Sequence, residues 1–240
     1  MGMKNKGDLV INGTGASNGG QFNLVKLNGI GKVNTDLECS GFECNGTGTL
    51  KGNLKSIAAR VSGTGRFAGT IESEKLTVEG TAKIRQNLFV KKLNISGKVD
   101  VEGSVKCEDI QLHGSLIVGK DCDAETLKGK YRLTVGGLLN VGEADLEIYG
   151  PCYAKEIGGQ TIRIRQHKGS IIGTLFKPLL KTRLETDLIE GDTIELEQTT
   201  AKMVRGTHVR IGPNCQLDVV EYTEEFFQDG NAVVGESRKV

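Results

Sequence analysis

Six cysteines and three histidines are the side chains of this 240-residue chain best suited to metal binding, redox chemistry or nucleophilic attack. No two cysteines form a C-x-x-C pair, and the histidines are too scattered in sequence to predict a metal site. Four cysteines fall on the inward columns of a repeat, which favours small core residues; a redox or metal role stays the alternative. The four cysteines are Cys39, Cys44, Cys107 and Cys122, and the histidines are His113, His167 and His208.

Two glycine-rich triplets, Gly13-Thr14-Gly15 and Gly63-Thr64-Gly65, look like fragments of a phosphate-binding loop. Both lack the lysine that such a loop needs, and both fall at corners of the repeat. The chain also has no G-x-S-x-G motif and no H-E-x-x-H motif. We therefore expect no catalytic residue, no cofactor and no metal, and an enzyme built on a solenoid is the least favoured interpretation.

Composition favours a soluble protein made of short strands and glycine turns. The formal net charge is +1, 25% of the residues are charged, and there are 34 glycines but only 3 prolines. So small a net charge gives the whole molecule no field that would recruit nucleic acid or a membrane. We expect no nucleic-acid partner and no small-molecule substrate. The sequence has neither a spanning apolar run nor a secretory apolar block at its start, so we expect a cytoplasmic protein.

A fixed 17-residue period organises the first half of the chain. Its marker is a glycine, with an apolar residue two positions before it. The glycines are Gly29, Gly46, Gly63, Gly80, Gly97 and Gly114, and the apolar residues are Leu27, Cys44, Val61, Val78, Ile95 and Leu112. Repeats of this length are typical of solenoids, in which each repeat is one coil.

Within a period, apolar residues come in three pairs spaced i, i+2, so that each pair points to one face of a strand. Turn-forming residues separate the pairs, as at Asn53, Asn87 and Asp121. The pattern predicts an all-β parallel β-helix with three short strands per 17-residue coil. Outward columns alternate in charge between coils, as in Lys26, Glu43 and Arg60, which supports stacking in register.

Five segments are expected along the chain. They are a flexible polar tail over 1–20, the main β-helix over 21–164, a basic and apolar excursion over 165–187, C-terminal coils over 188–222, and a tail or cap over 223–240. The excursion contains Pro178 and interrupts the repeat. We expect it to pack on the flank of the solenoid, and contact with a partner or a membrane is the alternative.

The stacked coils, the glycine-rich start and the stretches GGLLNV (136–141) and EIGGQTIRI (156–164) resemble the bactofilins, the bacterial polymer-forming cytoskeletal proteins. The resemblance is to the longer variant found in spore-forming Gram-positive bacteria. It implies a right-handed β-helix, in agreement with the crossover rule, that assembles into nucleotide-independent filaments. Other bactofilin-like proteins and cell-envelope proteins are further candidate partners, and membrane association is left open.

End coils of a solenoid expose unpaired N–H and C=O groups, which can pair with another chain. We therefore predict self-association through the end coils, by residues near each end. Those residues are Val25, Leu27, Val33 and Leu37, and Val209, Ile211, Leu217 and Val219. The alternative is a scaffold that does not polymerise and binds a protein or a membrane through its flank. Candidate contacts for that partner are Phe176, Lys177, Lys181, Arg183, Phe226 and Phe227.

Overall fold

The computed structural model describes residues 6–166 and 182–240, and every regular element in these ranges is a β-strand. The chain divides into two compact units, the first ending at Gly119 and the second beginning at Lys120. Both units are parallel β-solenoids, because every strand pairing within them is parallel and joins one coil to the next. The predicted fold class is confirmed.

Unit 1 alternates short and long strands. They are β1 (Leu9–Ile11), β2 (Thr14–Ser17), β3 (Gly20–Leu27), β4 (Ile30–Val33), β5 (Leu37–Cys44), β6 (Thr47–Leu50), β7 (Leu54–Val61), β8 (Thr64–Phe67), β9 (Ile71–Val78), β10 (Thr81–Ile84), β11 (Leu88–Ile95), β12 (Lys98–Val101), β13 (Val105–Leu112) and β14 (Ser115–Val118).

Partners in adjacent coils of unit 1 are one full repeat apart, as in Val61 with Val78. The first coil is the exception, since its residues pair one position short of the repeat, as in Ile11 with Leu27. The column that runs from Leu27 to Leu112 forms a single interior file, and all its members are buried. Each coil has three sides, as predicted, but two of them belong to one eight-residue strand. The long strand bends where two consecutive side chains both point outward, for example at Ile57 and Ala58.

A change in side-chain volume along the core is accommodated by two phenylalanines. A Cβ atom at Gly65 would lie 2.6 Å from the Phe67 ring, so this ring occupies the space that the glycine leaves. Phe42 packs edge-on against Phe67 with 5.8 Å between the ring centroids, and both rings are buried. The small inward residues of the early coils are therefore matched by large neighbours, which keeps the interior filled.

One corner of every coil in unit 1 needs glycine because the backbones approach closely there. A Cβ atom at Gly63 would lie 2.0 Å from the carbonyl oxygen of Gly46, and the same contact recurs at each step of the column. This approach lets Thr64 N donate a 2.8 Å hydrogen bond to Gly46 O. The requirement for glycine is one of space, since these glycines do not have a positive φ.

A second corner is held by side chains that cap the backbone of the following coil. Asp36 Oδ1 accepts from Asn53 N at 2.7 Å, Asn53 Oδ1 accepts from Thr70 N at 2.8 Å, and Asn87 Oδ1 accepts from Ser104 N at 3.0 Å. Asparagine and aspartate suit this position because their short side chains bond to nearby backbone in turns.

Unit 2 is built from longer strands. They are β15 (Cys122–Ile148), β16 (Pro151–Gln166), β17 (Arg183–Leu196), β18 (Thr199–Ile211), β19 (Gln216–Gln228) and β20 (Val233–Lys239). The strict 17-residue spacing does not continue in unit 2. Leu139 pairs with Ile157, one position beyond the repeat of unit 1, and Leu188 pairs with Met203, two positions short of it. The corners of unit 2 use left-handed backbone at non-glycine residues, with φ of 52° at Gln198 and 61° at Asn214.

The excursion falls between two strands that remain in register. Ile157 pairs with Ile189, about two coil lengths further along the chain, so the segment between β16 and β17 adds about one coil of sequence without displacing the stack. Its predicted bounds were too wide, because β16 runs to Gln166 and β17 begins at Arg183. Residues 167–181 lie outside the described ranges.

The predicted N-terminal tail needs correction, and the segment predicted as a C-terminal tail or cap contains strands. The flexible tail over 1–20 is wrong for residues 9–11 and 14–17, which form β1 and β2 and pair with β3 and β4. At the other end, β19 continues to Gln228, and β20 lies within the predicted tail or cap over 223–240. In each case strand pairing with the neighbouring coil orders residues whose composition resembles a loop.

The glycine corner yields a test of stability. Gly63→Ala places a methyl group against a backbone oxygen that cannot move aside, so we expect a loss of roughly 1–3 kcal/mol in unfolding free energy. Gly13→Ala is the matched control, because it lies in the same column of the first coil and its Cβ atom would meet nothing within 4 Å. Urea denaturation followed by circular dichroism measures both, and equal midpoints for the two variants would refute the close approach.

Candidate functional site

The outer edge of the first coil is an open strand edge. β1 and β2 pair on one side with β3 and β4, and no described residue pairs with their other side. Thr14 and Ala16 occupy the same coil positions as Ile30 and Lys32, and Ile30 N donates to Gly13 O. By the same geometry the N–H groups of Thr14 and Ala16 point toward the open edge.

This edge has no protective charges. The segment from Leu9 to Gln21 contains no acidic or basic residue, whereas natural proteins usually place lysine, proline or a bulge on an exposed edge strand. Of the two inward side chains of β1, Ile11 is buried, at 9% exposed, whereas Leu9 is only half-buried. A partner that pairs with this edge would cover the exposed part of Leu9.

A ladder of hydrogen-bonded asparagine side chains ends at this open edge. Asn45 Nδ2 donates to Asn28 Oδ1, and Asn28 Nδ2 donates to Asn12 Oδ1, each at 2.8 Å. Every amide nitrogen in the ladder points toward the preceding coil. Asn12 belongs to the first coil, so the ladder directs its Nδ2 group to the open edge as a donor for an incoming chain.

The predicted self-association residues of unit 1 lie one coil inside this edge. Val25, Leu27 and Val33 belong to β3 and β4 and are buried beneath β1 and β2, and Leu37 is also buried. Their role in self-association stays a prediction. The side chains at the edge itself are those of Leu9, Ile11 and Asn12, which the sequence analysis assigned to a tail.

A signal for that first coil exists in the sequence. Residues 12–15 and residues 45–48 both read Asn-Gly-Thr-Gly. The step from Gly13 to Gly29 is one position shorter than the steps that follow it, so a strict search for the regular period misses the first coil.

The last coil of unit 2 has a different edge. β20 covers Gln216–Tyr222 of β19, so the predicted Leu217 is buried and Val219 is half-buried beneath it. Val209 and Ile211 lie another coil inside, on β18, and are buried. β20 itself is exposed and carries charges at Glu236, Arg238 and Lys239, and charged side chains on an edge strand discourage pairing with another chain.

A charge ladder runs through these last coils. Glu221 lies between Arg205, whose Nε is 2.7 Å from its Oε2, and Arg238, whose Nε is 3.0 Å from its Oε1. Hydrogen bonds from both arginines hold the pKa of the Glu221 carboxyl below its usual range. Glu190 pairs with Arg205 one coil earlier, so acid and base alternate along the column and hold β18, β19 and β20 in register.

The predicted partner contacts are not brought together by the described structure. Arg183 begins β17 and donates to Gln216 Oε1 at 2.8 Å. Phe226 stacks on Tyr222 with 5.3 Å between the ring centroids, while Phe227 is exposed and packs under the Arg210 guanidinium. Phe176, Lys177 and Lys181 lie outside the described residues.

The four cysteines predicted to be core residues are buried, and so are Cys152 and Cys215. Burial raises the pKa of the Cys39 and Cys215 thiols to about 11 and that of Cys107 to about 12. A thiol with so high a pKa is protonated at neutral pH and is a poor nucleophile. Their small volume, rather than their reactivity, suits them to these columns.

No group of acids, cysteines and histidines within the described residues is placed to hold a metal ion. An open groove of about 770 Å³ runs along unit 2 past Glu125, Glu143 and Gln160. Glu143 forms salt bridges with Lys128 at 3.1 Å and with Arg163 at 3.8 Å, so its carboxylate helps to hold neighbouring coils together. Among the described residues there is also no helix with the length and apolar character needed to cross a membrane.

Comparisons with known proteins agree with this architecture. Residues 48–140 match the model of a family described as "Bactofilin: Polymer-forming cytoskeletal". The chain is 46% identical over 233 residues to the uncharacterized protein YhbE of Bacillus subtilis (strain 168), a similarity that covers 97% of this chain and 98% of that protein. It is 36% identical over 105 residues to YhbF of the same organism, covering 43% and 42% of the two chains. No solved structure matches it.

The buried thiols predict how stability depends on pH. The pKa values of Cys39, Cys107 and Cys215 are raised above the ordinary 9.0, so the folded state retains protons that the unfolded chain loses as pH rises. Their contribution to stability is complete below pH 9.0 and declines as pH rises through about 11. Urea midpoints measured between neutral and alkaline pH should fall across this window, and the fall should be smaller in a Cys39→Ala, Cys215→Ala variant.

Thiol labelling provides the complementary measurement. At neutral pH these cysteines should react slowly with a disulfide reagent in the native protein and rapidly in urea. Rapid native labelling would contradict the burial and the raised pKa values.

Proposed function

This chain belongs to the bactofilin family of polymer-forming cytoskeletal proteins, and from that membership we propose that it assembles end to end through its end coils. The polymer needs no nucleotide, because strand pairing between copies requires only backbone groups and the side chains of the coil surfaces. The protein then acts as a structural scaffold rather than as an enzyme.

The main structural support for end-to-end assembly is the open edge of β1 and β2. It combines backbone donors at Thr14 and Ala16 that pair with no described residue, an uncharged sequence and a directed amide at Asn12. An incoming strand would pair with those donors and cover the exposed part of Leu9, so hydrogen bonding and apolar burial favour the same contact.

The two end coils differ in the charge on their edge strands, and this difference predicts how contacts at each end respond to salt. The edge at β20 carries Glu236, Arg238 and Lys239, while the edge at β1 carries no charge. Contacts between two β20 edges would bring these charges together, so we expect the strength of such contacts to depend on ionic strength. Contacts between β1 edges should be less sensitive to salt.

Removal of one edge donor tests the proposal. Ala16→Pro deletes an N–H group that faces the open edge and leaves the carbonyl groups that pair with β4 in place, as an edge strand tolerates. Ala16→Thr is the matched control, because it alters the same side chain and retains the N–H group. We expect short or absent polymers for Ala16→Pro and wild-type polymers for Ala16→Thr.

Light scattering and negative-stain electron microscopy of the full chain, with and without nucleotide, measure the outcome. Circular dichroism of both variants confirms that strand content is retained. A wild-type protein that stays monomeric at every concentration, or polymers of equal length for the two variants, would overturn the proposal and favour the scaffold that does not polymerise.

A further inference from the structure

One side of unit 1 carries most of its unbalanced charge. This side, the short-strand face, consists of the outward side chains of β2, β4, β6, β8, β10, β12 and β14 and of the residue that follows each strand. It has six basic and two acidic side chains. The basic residues are Lys32, Lys51, Arg66, Lys83, Arg85 and Lys98, and the acidic ones are Asp100 and Glu102.

The other sides of unit 1 are nearly balanced. The long strands β3, β5, β7, β9, β11 and β13 carry seven basic and six acidic residues. Several of these face each other across coils, as Lys26 faces Glu43 at 3.1 Å and Lys91 faces Glu74 at 3.4 Å. The excess of positive charge therefore belongs to one side of the unit and is not a property of the whole chain, whose net charge is +1.

Most of the basic residues on the short-strand face are available to a ligand. Lys83 pairs with Glu102 at 3.0 Å, but the other five form no salt bridge with any described residue and are exposed. Parallel pairing in register places successive coils about 4.8 Å apart. Lys51, Arg66 and Arg85 therefore lie on three adjacent coils, with Lys51 and Arg85 in one column and Arg66 in another.

Two further features of this face identify the partner. It is a parallel sheet whose outward hydroxyl groups, at Thr47, Thr64 and Thr81, lie in register beside the cations as additional hydrogen-bond donors. It also exposes Ile30, which is 61% exposed beside Lys32. An array of cations and hydroxyls with an exposed aliphatic side chain is complementary to a layer of anionic lipid headgroups.

We propose that the short-strand face of unit 1 docks on the surface of a membrane that contains anionic lipids. The protein lies on the bilayer without crossing it, with its basic side chains against the headgroups and Ile30 at the level of the interface. This docking does not require polymer assembly, although a polymer would repeat the face and bind with greater avidity.

Other polyanions fit the face less well. Single-stranded nucleic acid usually stacks on aromatic side chains, and this face carries none. A second copy would have to present a row of acidic groups to this face, but the long strands of unit 1 mix acidic with basic residues. Both alternatives are outcomes of the test below.

Vesicle sedimentation tests the proposal with the full chain. Vesicles of phosphatidylcholine are compared with vesicles of an equimolar mixture of phosphatidylcholine and phosphatidylglycerol. The wild-type protein should bind the anionic vesicles selectively, and added salt should weaken binding. Each basic side chain near an anionic surface contributes about fivefold to binding, so a Lys51→Gln, Arg66→Gln, Arg85→Gln variant should lose roughly a hundredfold.

The matched control removes the same charge from the long strands. Lys75→Gln, Lys92→Gln, Lys106→Gln replaces three exposed cations that form no salt bridge with a described residue, and it should retain most of the binding. Equal losses in the two triple variants would overturn the proposal, because they would indicate a response to net charge alone. Equal binding to both kinds of vesicle would also overturn it.

Two competing partners are examined with the same samples. Tighter binding of a short single-stranded DNA than of anionic vesicles at the same salt concentration would assign the face to nucleic acid and overturn the proposal. Light scattering without vesicles records polymer state, and a loss of polymers specific to the Lys51, Arg66 and Arg85 variant would assign the face to a contact between copies. Normal polymers with lost vesicle binding are the expected result.

Discussion

Hydrogen bonding between successive coils is the interaction on which the rest of the structure depends. A coil cannot satisfy its own backbone, because in a parallel solenoid its N–H and C=O groups point along the stack to the neighbouring coils. The close approach that this requires leaves no room for a side chain at the Gly46 and Gly63 corner, where a Cβ atom would meet a carbonyl oxygen at 2.0 Å. It also places equivalent residues of adjacent coils in contact, so each residue must be able to pack or pair with the residue one repeat away.

The same constraint gives the molecule its functional surfaces. A ladder that satisfies each coil through its neighbours leaves the first and last coils incomplete, which creates a template for another chain. The two incomplete coils differ in charge. The strands of the first coil carry no charged residue, whereas an ionic ladder through Glu221 runs into the last coil. Stacking in register also lines up outward side chains, and it turns isolated lysines and arginines of unit 1 into a continuous basic face.

Much of the fold was predictable from the sequence because the period is visible in residue types. The even spacing of the glycines from Gly29 to Gly114 implied the coil, and i, i+2 pairs such as Leu76 and Val78 implied the strands. The first coil was missed because its step is one position shorter than the others and its composition resembles a loop. β20 was missed because its exposed, charged residues form a strand only through pairing with β19, and such tertiary pairing overrides local propensity.

The candidate site was less predictable than the fold. The sequence predicted self-association through residues that include Val25, Leu27 and Val33. These apolar side chains are buried inside the stack, one coil away from its open edge. The residues at the edge are Leu9, Ile11 and Asn12, and only the register of the pairing shows that nothing described lies beyond them. The basic face likewise needs the three-dimensional columns, because its cations are separated in sequence by acidic residues on other sides.

The most direct test of the account is the deletion of one whole coil. Removal of residues 64–80 joins Gly63 to Thr81 and leaves every remaining column in register, because the deleted segment is one full repeat and Thr64 and Thr81 are equivalent positions. If hydrogen bonding between coils in register holds the fold together, this shortened protein should fold cooperatively. Its strand content by circular dichroism and its urea midpoint should be close to those of the full chain. A deletion of residues 64–76, which shifts the columns, should fail to give a cooperative transition. Equal stability of the two deletion proteins, or loss of folding in both, would contradict the account.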